Sequence, residues 1–87
     1  MLICEVQGKC VSTIKNKSLQ GYSLIIVQKI NKKGIPSGDL IVTIDTIGCS
    51  VGEKVLVTKG SSARFSLENN NIPIDSAVIG IIDEYNL

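Results

Sequence analysis

The chain contains no histidine and no tryptophan, and its aromatic residues are one Phe and two Tyr among 87. Without histidine, Ser-His-Asp and Cys-His nucleophiles, imidazole acid–base chemistry and His-ligated zinc are all closed to it. So few rings, 3% of the residues, cannot build a platform on which successive nucleic-acid bases stack. Charge of one sign is lacking too. Nine Lys and Arg against eight Asp and Glu leave a net +1, which gives no electrostatic footprint for a polyanion. Both absences argue against a nucleic-acid partner.

Long apolar runs are also missing. The central run, Leu24 to Val27, is broken by Gln28 and Lys29, and no run approaches a membrane span. The opening Met1-Leu2-Ile3-Cys4-Glu5-Val6 has no basic region and no extended apolar core, unlike a signal peptide. Cys4, Cys10 and Cys49 are odd in number and show no CxxC spacing, so they do not form the even set of a secreted disulfide framework. The expectation is a reduced cytosolic protein with no membrane partner, made of a single domain over residues 1–87. A chain this small and ring-poor is a candidate for extra stabilisation by association.

What is present is a succession of short β-branched runs separated by turn clusters, the all-β signature. From Leu2 to Thr13 the even positions Leu2, Cys4, Val6, Gly8 and Cys10 are apolar or small, while Glu5, Gln7 and Lys9 face the other way. That period of two marks a strand with one wet face, and it places Cys4 and Cys10 together in the core. Gly8 in mid-strand suggests a bend or bulge. Ser23 to Ile30 reads as a central strand and Asp39 to Asp45 as its hairpin partner. The turn residues from Asn31 to Gly38 form a long, basic, exposed tip between them. Lys54 to Thr58 and Ala77 to Ile82 are the fourth and fifth strands, with one helical turn at Pro73-Ile74-Asp75-Ser76. The expected fold is a small five-stranded antiparallel OB-like barrel.

The chemistry-bearing segments are sparse. Gly60-Ser61-Ser62-Ala63-Arg64 has no histidine to activate its serines and no SxxK arrangement. It also lacks the GxxxxGK[ST] frame of a phosphate cradle. Its small residues suit close backbone approach by another chain, and Arg64 can fork onto a carboxylate or carbonyls. An ordinary surface turn is the bland alternative. Asp39, Asp45, Asp75 and Asp83 fall at strand ends and turns, where Asp is expected, and form no DxD pattern. Lys32 and Lys33, with Lys29, make the one basic patch, either a solvated tip or a contact with a protein neighbour.

In their order, these segments resemble the EutN/CcmL family. Gly8-Lys9-Cys10-Val11-Ser12-Thr13 with Lys15, Leu19 and Leu24-Ile25-Ile26-Val27-Gln28 match its opening. Asp45-Thr46-Ile47-Gly48, Gly52-Glu53-Lys54-Val55-Leu56-Val57 and Gly60-Ser61-Ser62-Ala63-Arg64 continue it. Pro73-Ile74-Asp75-Ser76-Ala77-Val78-Ile79-Gly80-Ile81-Ile82-Asp83 closes it. The resemblance implies a structural protein without a cofactor. Such a protein is a homopentamer of OB-like barrels that caps the vertices of a bacterial microcompartment shell and packs against hexameric shell proteins. It further implies that Gly60, Ser61, Ser62, Ala63 and Arg64 lie near the junction between subunits. Gly48, Cys49 and Ser50 would wall an opening on the five-fold axis. This chain has Gly48-Cys49-Ser50 where the family usually shows Gly-Ala-Gly, which would put a thiol near that opening. Lys32 and Lys33 are the candidate contacts to neighbouring shell proteins. The fold alone leaves a second reading, an OB-type oligonucleotide-binding module.

Overall fold

The computed structural model describes residues 1–10, 21–60 and 76–83. Among them there is no helix, and five strands close into a barrel: β1 (Leu2–Cys10), β2 (Ser23–Ile30), β3 (Pro36–Asp45), β4 (Lys54–Lys59) and β5 (Ser76–Ile81). The order around the barrel is β1-β2-β3-β5-β4, with β4 pairing back onto β1. The OB-like expectation is met, with one refinement. Four of the seams are antiparallel, but β3 and β5 pair in parallel through Ile44 opposite Ala77 and Asp45 opposite Val78. A closed ring with an odd number of strands cannot alternate direction all the way round, so one parallel seam is unavoidable.

The core is built from the inward row of each strand. Cys4 and Val6 of β1 meet Ile25 and Val27 of β2, Val55 and Val57 of β4, and Val78 of β5, all at most 1% exposed. These are small side chains, branched except for Cys4, the kind that fills a narrow five-stranded interior where a large ring would not fit.

Three irregularities coil the barrel. Val6 opposes Val27 while Gly8 opposes Ile26, so Gln7 is an extra residue in β1. An extra residue moves every later side chain to the other face. Cys10 therefore sits opposite Leu24 on the outer face, half-buried, and does not join Cys4 in the core as strict alternation from Leu2 would place it. A second bulge puts Ile79 out of register in β5, between the pairs Val57–Val78 and Leu56–Gly80.

The third lies in the β2–β3 hairpin and shortens the tip. Ile30 pairs with Pro36, and the extra residues of β3 around Ser37 and Gly38 bulge opposite Lys29. Proline is tolerated as the first residue of a strand because its missing N–H costs no ladder bond there. The Gln28 amide holds the bulge by donating to the Gly38 carbonyl at 2.7 Å. The tip is thus only residues 31–35. The Asn31 carboxamide oxygen accepts from the Lys33 and Ile35 N–H groups at 2.9 and 3.0 Å. At the other end of the chain, Ser76 is a strand residue; Pro73, Ile74 and Asp75 of the expected helical turn lie outside the described residues.

Ile25 shows how much rests on this narrow core. Ile25→Ala removes a fully enclosed side chain and should destabilise the fold by about 2–5 kcal/mol, measured as a lowered denaturant midpoint with unchanged slope. A loss under about 0.5 kcal/mol would mean that Ile25 is not enclosed in solution.

Candidate functional site

The loop after β3 is organised by one carboxylate. Asp45 ends the strand, and its Oδ1 accepts the N–H groups of Ile47 at 2.9 Å and Gly48 at 2.8 Å. Its Oδ2 accepts the N–H of Cys49 at 2.8 Å, and the Cys49 thiol donates to Oδ1 at 3.4 Å. Gly48, with φ +98, makes the left-handed turn that brings these amides round one side chain. Burial alone would raise the Asp45 pKa. The amides of Gly48, Ile47 and Cys49, with the thiol, outweigh it and hold the carboxyl below its ordinary value of 3.8.

The next turn is closed by Glu53. Its Oε1 accepts the Ser50 N–H at 2.5 Å while its own N–H donates to the Ser50 carbonyl at 3.1 Å. The loop is then fastened to the β1 bulge. Gly52 N–H donates to the Val6 carbonyl at 2.8 Å, and Val6 N–H donates to the Glu53 carbonyl at 2.9 Å. Thr46 Oγ1 donates to the Val78 carbonyl at 2.5 Å, which ties the start of the loop to β5.

Of the three expected axial residues, Gly48 and Ser50 are exposed, but Cys49 is 2% exposed and packs with the barrel core. The Cys49 thiol points into the fold, onto the Asp45 carboxylate. Burial, then the hydrogen bond and charge of Asp45, and then Glu53 push its pKa up to about 12. Ser50 has no positive φ, so the second glycine of the family pattern is not needed for this turn.

Lys32 and Lys33 are both exposed on the hairpin tip. Gly60 follows β4 directly, and Ser61, Ser62, Ala63 and Arg64 lie outside the described residues. Sequence reasoning missed the cross-strand ion pair of Glu5 and Lys54, which stand directly opposite each other on β1 and β4. Gln7 Nε2 also donates to Glu5 Oε2 at 2.9 Å. Lys54 first, and Gln7 second, lower the Glu5 pKa. The signal was available, since Glu5 and Lys54 occupy outward positions of their strands, but the register that makes them partners was not. Among the described residues no group of three or more His, Cys, Asp or Glu side chains converges as a metal site would require.

Two measurements check this loop. Asp45→Asn removes the charge that the amides share and should cost about 1–3 kcal/mol. The Asp45 pKa is lower folded than unfolded, so its stabilisation is present above the ordinary carboxyl value and lost as pH falls through the folded one. The variant's acid unfolding limb should therefore be shallower than the parent's, and an unchanged limb would remove Asp45 from this role. Alkylation at pH 8 followed by peptide mapping should leave Cys49 unmodified in the folded protein and label it fully once unfolded. Rapid labelling of folded Cys49 would contradict its burial.

The chain matches the family described as "Ethanolamine utilisation protein EutN/carboxysome" over residues 1–83. It is 46% identical over 83 residues to the bacterial microcompartment shell vertex protein GrpN of Rhodospirillum rubrum, covering 95% of this chain and 93% of that protein. It is 40% identical over 87 residues to the carboxysome shell vertex protein CcmL of Synechococcus elongatus, covering 100% of this chain and 88% of that protein. The solved pentameric shell protein GrpN from Rhodospirillum rubrum superimposes with a TM-score of 0.88 at 42% identity, covering 100% of this chain and 99% of that one. With barrel, loop order and whole-chain similarity in agreement, this chain belongs to the EutN/CcmL family, a family of structural shell vertex proteins and not of enzymes.

Proposed function

We propose that this protein is a homopentamer that closes the vertices of a cytoplasmic bacterial microcompartment shell, packing against hexameric shell proteins around it. The observation that carries the reading is the match to a pentameric shell protein over essentially the full length of both chains. The physical role follows from geometry. A layer of six-fold units is flat, and it closes into a polyhedron only where five-fold units replace them. A vertex unit needs shape and contacts but no base, nucleophile or cofactor, which suits a chain without histidine.

The residue roles belong to the same proposal. Gly60, Ser61, Ser62, Ala63 and Arg64 form part of the subunit junction, where small side chains admit close approach and Arg64 supplies a forked donor. Gly48 and Ser50 present the loop surface nearest the five-fold axis, and Cys49 anchors that loop from inside. Lys32 and Lys33, exposed at the hairpin tip, contact neighbouring shell proteins. The oligonucleotide-binding alternative has the net charge of +1 and the scarcity of rings against it.

Native mass spectrometry of the purified protein should show a five-chain species at micromolar concentration, and a strict monomer would overturn the reading. Arg64→Ala, or a bulky replacement of Ser62, should lower the assembled fraction while leaving the barrel's circular dichroism intact. Full assembly of both variants would remove the Gly60–Arg64 loop from the junction.

A further inference from the structure

The outer surface of the barrel is ordered in rows that the strand registers define. In an antiparallel pair, residues directly opposite share a face and stand about 4.5–5.5 Å apart. One outer row is polar throughout its middle: Lys54 opposes Glu5, Glu5 opposes Gln28, and Gln28 opposes Leu40. The ion pair of Glu5 and Lys54 and the Gln28 bond to Gly38 satisfy this belt within the chain.

An apolar face lies on each side of the belt. On one side Val42 opposes Ile26, which opposes Gly8, and Leu40 borders them at the end of the polar row. Gly8 contributes no side chain, and a Cβ built there would meet nothing within 4 Å, so this face has open space beside Ile26. Val42 and Leu40 are 44% and 62% exposed. On the other side Leu56 opposes Ile3, and the Ile79 bulge stands next to Leu56, with Ile79 41% exposed. Ile3 also lines a hollow of about 150 Å³ with Ile30, Asn31 and Lys32. A space of that size accommodates a benzene-sized apolar group, hence one branched aliphatic side chain.

We infer that these two unlike faces are the two halves of a head-to-tail contact between copies of this chain, with Leu40 and Val42 of one copy seated against Ile3, Leu56 and Ile79 of the next. The inference rests on the pentamer reading above and assigns residues to it. A cyclic ring requires a heterologous contact, in which each subunit offers two different surfaces. Two apolar faces divided by a self-satisfied polar belt meet that requirement, whereas a two-fold contact needs a single self-complementary patch. One face projects exposed aliphatic side chains and the other carries a hollow able to receive one. The second face is also continuous with the junction assigned from sequence: β4 runs from Lys54 in the belt through Leu56 to Lys59, and Gly60 follows. Burial of apolar surface of this kind is the dominant favourable term in most protein association.

The test uses the full chain and native mass spectrometry, with Val42→Asp on one face and Ile79→Lys on the other. Both sites are exposed in the single chain, so each variant should fold, as circular dichroism would verify. Each alone should raise the concentration for half-assembly at least tenfold relative to the parent. An equimolar mixture offers one intact pair of faces and one Asp–Lys pair per two chains, and should assemble at a lower concentration than either variant alone. The double variant carries opposite charges on the two faces and should recover closed rings. If either single variant assembles like the parent, or if the mixture assembles no better than either variant alone, the assignment is overturned. Should Val42→Asp fail to fold, Leu40→Ser, at the most exposed position of that face, replaces it with the same expected outcome. A parent that is itself monomeric would instead refute the pentamer reading, so the two failures are told apart.

Discussion

Closure of a ring with an odd number of strands is the constraint on which the rest of this structure depends. Among the described residues, small side chains fill the inner side of the five strands, all of them branched except the two cysteines Cys4 and Cys49. The odd count obliges one pair to run parallel, and that seam, between β3 and β5, is short. Asp45 and Val78 sit at it, and the chain beyond Asp45 must turn sharply to reach β4. The Asp45 carboxylate, collecting three amides and a thiol, is the device that makes the turn. Loop and seam are therefore parts of one solution to closure.

Tight closure also demands coiling, and the bulges supply it at Gln7, around Ser37 and Gly38, and at Ile79. Each has a second effect on the outer surface. Gln7 sends Gly8 and Cys10 outward, which opens space beside Ile26. The Ser37–Gly38 bulge gives Gln28 a carbonyl to bind, and so completes the polar belt. Ile79, displaced from the ladder, is left on the surface next to Leu56. Residues that a flat, regular sheet would have paired or buried become outer surface.

Much of this was legible in the residues. The β-branched run Ser23–Ile30 reads as a strand with the same bounds the fold gives it, and the order of five strands follows from alternation and turn chemistry. What alternation cannot reveal is where it breaks. Nothing local to Gln7 distinguishes a bulge from an ordinary outward residue, because the bulge exists only relative to the partner strand. Cys10 was misplaced for that reason, and the Glu5–Lys54 pair was hidden because register is a tertiary fact. The burial of Cys49 was hidden differently. A cysteine between a glycine and a serine looks like loop surface, and only the convergence of its amide and thiol on Asp45 turns it inward. The hairpin tip looked longer than it is because Pro36, Ser37 and Gly38 carry turn chemistry while serving as strand start and bulge.

The way Asp45 holds its loop has a consequence for how such a protein can vary. The bonds run to backbone amides, which every residue except proline possesses, and the side chain of Cys49 fills the interior. The exposed side chain of Ser50 then has no part in shaping the turn, and Val51, 63% exposed, has little packing to lose. Scaffold and surface are thereby uncoupled at this point: the exposed side chains can be rewritten in size, polarity or charge while the carboxylate keeps the same outline.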